Sequence, residues 1–311
     1  MKTSLPTFFV IGAAKAGTTT LHDALAHHPQ VYVPYKKEPT FFASDDYDHG
    51  LAWYLDTYFR NAERYAARGE CSVGYLFWHR KTALRMAEAY DEQPLPRIIV
   101  IMRDPVARAY SAYWHLRNYG GERLSFEEAL AAEDERFAQQ KERLSAEGIL
   151  RFAYFRGGCY DRQLRSFLDR FPREQCLFLL TEDLQQDYAG TMYTLFAFLG
   201  VETEVVTAAR ASNSARQVRN REFYRAIRQP SVLKELIKPL LPQRLRYRLK
   251  QRLLSLNMKP APYPPINPDT ARQLRARYLP HIEALETMIG RDLSAWKSEP
   301  AGGEKEGGID D

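Results

Sequence analysis

The stretch Phe8-Phe9-Val10-Ile11-Gly12-Ala13-Ala14-Lys15-Ala16-Gly17-Thr18-Thr19-Thr20-Leu21 limits what this chain can fold into more than any other. Four consecutive large apolar residues predict a strand covered on both faces, as in a parallel sheet. Gly12 and Gly17 let the backbone turn tightly and approach a ligand closely. Thr18, Thr19 and Thr20 then open a helix, where free N–H groups and the helix dipole favour an anion. Lys15 adds a full positive charge inside the loop, so the stretch reads as a phosphate cradle. It is close to the nucleoside-triphosphate loop G-x-x-x-x-G-K-[ST], but Thr18 stands where that motif has its lysine. A lysine after the second glycine reaches the β- and γ-phosphates, whereas one within the loop stays near the first phosphate. The displaced lysine therefore predicts a shorter phosphate group and a different leaving group. An ordinary strand–helix turn shares the outline, since such turns recur in α/β folds.

The chain has 311 residues, 45% of them apolar, and carries a net charge of +5. These values suit a globular α/β protein and exclude disorder. No apolar run approaches the roughly 20 residues that span a bilayer. Met1 to Pro6 leads straight into the first strand, so a signal peptide is not expected and the protein is read as cytoplasmic. Cys71, Cys159 and Cys176 are far apart and odd in number, which predicts buried free thiols rather than a disulfide framework or zinc. The expected organisation is a single domain over residues 1–298, with a basic helical segment at 222–259 and a disordered tail at 299–311. That segment holds Arg225, Arg228, Lys234, Lys238, Arg244, Arg246, Arg248, Lys250, Arg252 and Lys259 against only Glu222 and Glu235. A solvated helical face near an anionic ligand is the preferred reading. Peripheral membrane contact stays open, and no nucleic-acid partner is expected, because no nucleic-acid motif accompanies the charge.

Further strands are expected at Ile98–Met102 and Cys176–Leu180, and Gly69–Tyr75 reads as a short strand leading to a loop. Pro105 starts a helix running to about Arg117, Ser125 and Glu128 form a capping box, and Asn267 caps the last helix. Asn213–Asn220 reads as a loop. Strands alternating with helices predict a three-layer α/β/α fold around a central parallel sheet.

Arg103 ends the second strong strand, the sheet edge where ligands bind in open α/β folds. Ser111 lies two helical turns further on, about 11 Å along the helix axis. An arginine and a hydroxyl so placed can hold a second phosphate. Alternatively Arg103 pairs with Asp104 or Glu70, and Ser111 is a small packing residue. Taken with the first loop, the sequence resembles the sulfotransferases that use 3′-phosphoadenylyl sulfate (PAPS). Gly12-x-x-Lys15-x-Gly17-Thr18-Thr19-x-Leu21 is similar to their 5′-phosphosulfate loop. Arg103-Asp104-Pro105 through Arg108-Ala109-Tyr110-Ser111 is similar to their 3′-phosphate motif. Lys37-Glu38-Pro39-x-Phe41-Phe42 resembles a segment of the heparan sulfate sulfotransferase branch in which the glutamate acts as base. Glu70-x-Ser72-x-x-Tyr75, Gly158-x-Tyr160, Phe171-Pro172-Arg173-Glu174-Gln175, Asn213–Arg219 and Leu293-Ser294-Ala295-Trp296 extend the likeness over about residues 5–297.

The resemblance implies a P-loop-like sulfotransferase fold. It also implies transfer of a sulfuryl group from PAPS to a hydroxyl or amine, with adenosine 3′,5′-bisphosphate as the leaving product. Lys15 would stabilise the leaving 5′-phosphate and Glu38 would serve as base. Gly12, Lys15, Ala16, Gly17, Thr18, Thr19 and Thr20 would hold the 5′-phosphate, and Arg103, Ser111 and Arg219 the 3′-phosphate. By residue type alone, His22, His27, His28, His79 and His115 are other candidate bases. No metal is implied. Cys71 stands where the heparan sulfate enzymes carry a lysine, which favours a bacterial member acting on a glycan precursor, a glycolipid or a small hydroxylated metabolite over one acting on a glycosaminoglycan. A P-loop kinase or NTPase using ATP and magnesium is the rival reading. Asp104, ending a hydrophobic strand like a Walker B aspartate, is its strongest support.

Overall fold

The computed structural model describes residues 5–140, 150–205, 216–228, 243–260 and 262–298. Its central sheet has five parallel strands: β1 (Phe8–Gly12), β2 (Val31–Tyr32), β3 (Ala67–Cys71), β4 (Arg97–Met102) and β5 (Cys176–Leu180), in the order β2-β3-β1-β4-β5. Helices α1 (Thr18–His27), α2 (Gly50–Tyr58), α3 (Gly74–Phe77), α4 (His79–Ala89) and α5 (Pro105–Asn118) follow the first strands. Helices α6 (Phe126–Ala131), α7 (Glu133–Gln140), α8 (Tyr160–Leu168), α9 (Thr181–Gln186) and α10 (Tyr188–Leu199) complete the layers around β5. The basic segment supplies α11 (Arg221–Arg228) and α12 (Gln243–Leu256), and α13 (Pro268–Ile289) and α14 (Ser294–Lys297) end the described chain. The doubly covered parallel sheet is the expected architecture. Among the described residues no helix is long and apolar enough to cross a membrane.

β1 is the middle strand, and Phe8, Phe9, Val10 and Ile11 are wholly buried there. Each large apolar side chain so buried stabilises the fold by about 1.5–3 kcal/mol. β1 pairs with β3 on one side and with β4 on the other, so the chain reverses its winding direction at β1. A crevice opens outside the carboxyl ends of the strands at such a switch point. The loop after β1, the ends of β3 and β4, and the start of α9 after β5 all meet there.

Two local expectations change. Arg216–Val218, within the stretch read as a loop, forms strand β6. It pairs antiparallel with β7 (Met258–Pro260), Gln217 opposite Lys259. Its partner lies some forty residues further along and supplies the ladder that so short a polar strand cannot specify by itself. This ribbon packs against α5. Asp104, the Walker B look-alike, instead caps α5 by accepting from the amides of Val106 and Ala107, and pairs with Arg275 at 3.2 Å. The proline breaks at Pro230, Pro239 and Pro242, residues 213–215 and the tail at 299–311 lie outside the described residues.

Candidate active site

Gly17 sits at the N-terminus of α1 with φ of +106°, a conformation that favours glycine. No side chain caps this helix start and its first turn holds no acid, so the amides entering α1 keep their capacity for an anion. A Cβ on Gly12 would come within 2.8 Å of Leu76 Cβ, so the first glycine allows α3 to close on the loop. The Thr181 hydroxyl, at the start of α9, donates to the carbonyls of Ala16 and Met102, tying the loop to the end of β4. Thr18 and Thr20 are buried, and the Thr19 hydroxyl accepts from Lys37 Nζ at 2.7 Å.

Lys15 is held in the left-handed region, with φ of +71°. Its pKa is pushed down to about 8 by burial and by the nearby Arg103 and Lys37, while Glu38 opposes the shift. Arg103 reaches back over the loop to the Lys15 carbonyl at 3.5 Å. It takes neither Asp104, which is committed to α5 and Arg275, nor Glu70, which is buried elsewhere. Ser111 is buried on α5. Arg219 is exposed in the turn after β6, its amide bonded to Asn257. Among the described residues no hydrogen bond or ion pair joins Arg103, Ser111 and Arg219.

Glu38 lies on the loop after β2, also in the left-handed region, its carboxylate 3.6 Å from Lys37 Nζ. This loop is fastened from below by a buried network. The Tyr75 hydroxyl donates to Glu70, and Ser72 Oγ lies 3.4 Å from the same oxygen. In turn Ser72 accepts from the Thr40 amide at 3.1 Å and Tyr75 from the Phe42 amide at 3.3 Å. Burial raises the Glu70 pKa to about 7, against the lowering effect of the Tyr75, Tyr54 and Ser72 hydroxyls. Phe41 stacks on Tyr54 with ring centroids 4.3 Å apart, closing the apolar side of the same loop.

Lys15, Gly17, Thr18, Thr19, Lys37 and Glu38 all line one cleft of about 860 Å³. The cleft has further lining residues. Arg108 is buried, donating to the carbonyls of Ala153 and Tyr154. His115 places Nδ1 3.4 Å from Lys15 Nζ across a hundred residues of chain. Tyr224, Leu254, Ser255 and Met258 reach the cleft from the basic segment, where Tyr224 packs on Tyr119. The 3′-phosphate motif takes in Arg108 and residue type marks His115, but no local signal marks Tyr224, Leu254, Ser255 or Met258. Among the five candidate histidines only His115 touches Lys15: His22 pairs with Asp23, His28 with the Glu202 carbonyl, and His79 with Ser166. The three cysteines are buried free thiols. Among the described residues no cluster of His, Cys, Asp or Glu is placed to hold a metal ion.

Comparison with known proteins agrees with this fold. The sulfotransferase domain family matches residues 5–235. Over 220 residues the chain is 26% identical to human bifunctional heparan sulfate N-deacetylase/N-sulfotransferase 2, covering 63% of this chain and 22% of that protein. Over 198 residues it is 31% identical to human heparan sulfate glucosamine 3-O-sulfotransferase 3B1, covering 64% of this chain and 47% of that one. The chain thus spans between about a fifth and a half of the length of these curated relatives. A sulfotransferase structure from Alicyclobacillus acidocaldarius superposes with a TM-score of 0.68 at 30% identity, over 95% of this chain and all of that one. The family match takes in β1, its loop and both strands that flank it, and the bacterial structure follows nearly the whole chain, so this chain belongs to the sulfotransferase domain family.

Proposed function

We propose that the chain transfers a sulfuryl group from PAPS to a hydroxyl or amine of a carbohydrate acceptor. The observation that carries this is Lys15. It stands inside the phosphate loop, beside Arg103 and Lys37 and facing the same cleft as Glu38. A lysine whose proton affinity is lowered by burial and then by two neighbouring cations suits a ligand with more than one phosphate. In this reading Gly12, Ala16, Gly17, Thr18, Thr19 and Thr20 surround the 5′-phosphate. Arg103, with Ser111 and Arg219, takes the 3′-phosphate. Glu38 accepts the acceptor's proton as its oxygen or nitrogen bonds to sulfur, and the bond from sulfur to the bridging oxygen breaks. Lys15 stabilises the charge that the 5′-phosphate gains. The heparan sulfate enzymes among the relatives support a glycan acceptor.

The kinase reading loses its main support, because Asp104 is spent on the cap of α5 and on Arg275. A thermal shift with adenosine 3′,5′-bisphosphate beside ATP–magnesium tests the two. Binding to the native state raises stability by about 2.7 kcal/mol at a hundredfold excess over Kd. The bisphosphate is expected to raise the melting temperature without magnesium. A shift with ATP–magnesium alone would overturn the PAPS reading.

A further inference from the structure

Eight large apolar side chains are exposed among the described residues, and four of them lie on the two helices of the basic segment. Phe223 is on α11, and Leu245, Leu249 and Leu256 are on α12, with 50%, 48% and 67% of their surface in water. The other four, Leu84, Leu95, Tyr193 and Leu279, lie in four different parts of the chain, as single exposed apolar residues do on any globular protein. At 3.6 residues per turn, the spacing of Leu245, Leu249 and Leu256 puts them within about 40° of one another around the helix. They form one apolar stripe, which a purely solvated face does not account for.

The charge beside this stripe has one sign. Residues 243–260 contain Arg244, Arg246, Arg248, Lys250, Arg252 and Lys259 and no acid. Lys250, Arg252 and Lys259 are exposed, and Arg246 is half-buried. Arg252, seven residues after Leu245, falls in the angular sector of the leucines. An arginine so placed can lay its stem along apolar surface while its head stays in a polar layer. The other side of α12 is already occupied: Leu254 and Ser255 line the transfer cleft, Leu254 about half a turn from the stripe. This helix is therefore a wall with the cleft on its inner side and the leucines on its outer side.

An apolar stripe edged by cations, on a helix without an acid, is complementary to an anionic lipid surface. Leucines enter the boundary between headgroups and acyl chains, and the cations meet the lipid phosphates. A second copy of the chain would set the same six cations against six. Nucleic acid would satisfy the cations but offer the leucines no apolar layer. We infer that α12 is an interfacial helix that seats the protein on an anionic bilayer, lying in the plane of the surface without crossing it. At about 21 Å, its 14 residues fall short of a hydrocarbon core of about 30 Å. Seated in this way, the cleft wall stands about one helix diameter, roughly 10–12 Å, from the lipid. The inference rests on the exposed stripe and its charge, not on the donor reading, and either can fail without the other.

Sedimentation of the full chain with lipid vesicles tests it. Vesicles of mixed phosphatidylglycerol and phosphatidylcholine are expected to bind the protein, and vesicles of phosphatidylcholine alone to bind it at least about 10-fold more weakly. Leu245→Gln/Leu249→Gln/Leu256→Gln is expected to lower affinity for the anionic vesicles by about 10- to 100-fold. Lys250→Gln/Arg252→Gln is expected to lower it by about 10-fold. Both variants change exposed residues outside the cleft, so melting temperature and affinity for adenosine 3′,5′-bisphosphate are expected to stay at wild type. No binding to anionic vesicles, equal binding to neutral ones, or wild-type vesicle affinity in the leucine variant would each overturn the proposal. A leucine variant with a lowered melting temperature would pass the decision to the charge variant, whose unchanged vesicle affinity would overturn it. A leucine-dependent dimer without vesicle binding would give the face to a second copy. A single-stranded oligonucleotide that binds where vesicles do not would give it to nucleic acid; either result overturns the proposal. If the vesicles bind and the bisphosphate does not, only the donor reading falls.

Discussion

Lys15 shows how far a residue's chemistry is set by its neighbours. An isolated lysine stays charged to about pH 10.5, but here the proton is lost near pH 8. Burial is the largest cause, followed by repulsion from Arg103 and Lys37. The sign of the consequence follows directly. Raising the pH through 8 neutralises the free enzyme's Lys15, so affinity for the bisphosphate is expected to fall over that range rather than two units higher. Titrations from neutral pH to about pH 9.5 would show the fall, and Lys15→Ala should bind weakly at every pH and lack that step. Glu38 works at the other end of the same reaction. Glu38→Gln keeps the shape and removes the base. Turnover is expected to drop by about 10²–10⁴-fold, with bisphosphate affinity within about twofold of wild type. Steady-state rates beside calorimetry would separate the two quantities, and a collapse of nucleotide affinity would make Glu38 a structural residue.

At the scale of elements, the site depends on a loop that has no regular structure of its own at Glu38. Its position comes from β3 and α3, through Glu70, Ser72 and Tyr75. The resemblance marks these three residues by their spacing, but only the structure shows what the spacing achieves: a buried carboxyl and two hydroxyls holding the amides of Thr40 and Phe42. Tyr75→Phe removes one donor and one acceptor at once. Leaving the Phe42 amide and Glu70 short of a partner should cost about 1–3 kcal/mol of stability. The expected kinetic effect is a larger loss in turnover than in bisphosphate affinity, because the loop that moves carries Glu38 while the helix start at Gly17 stays in place. Melting curves and steady-state kinetics on this variant would check both. Unchanged turnover would mean that Phe41 and Phe42 alone fix the loop.

Across the whole molecule, what was legible in the sequence is what local chemistry encodes. The strand–loop–helix at Phe8–Leu21 could be read because one run of fourteen residues carries both its burial and its anion site. Arg103 could be read because it ends a strand and precedes a proline-started helix. The contacts that turn these pieces into a site join distant parts of the chain: His115 with Lys15, Lys37 with Thr19, Thr181 with Ala16, Tyr224 with Tyr119. No periodicity reports such pairs. Asp104 shows the converse, a residue whose local setting resembled a metal-binding acid until Arg275, 171 positions away, gave it another task. The net charge of +5 likewise says little until it is placed. Lys15, Lys36, Lys37, Arg108 and Arg151 face one cleft with Glu38 among them. Folding has therefore spent part of the stability of a large apolar core on holding like charges together. The lowered proton affinity of Lys15 reflects burial first and, after it, the repulsion of Arg103 and Lys37. Such a surface is oriented before its ligand arrives, so a polyanion that enters meets cations that need not be gathered at the moment of transfer.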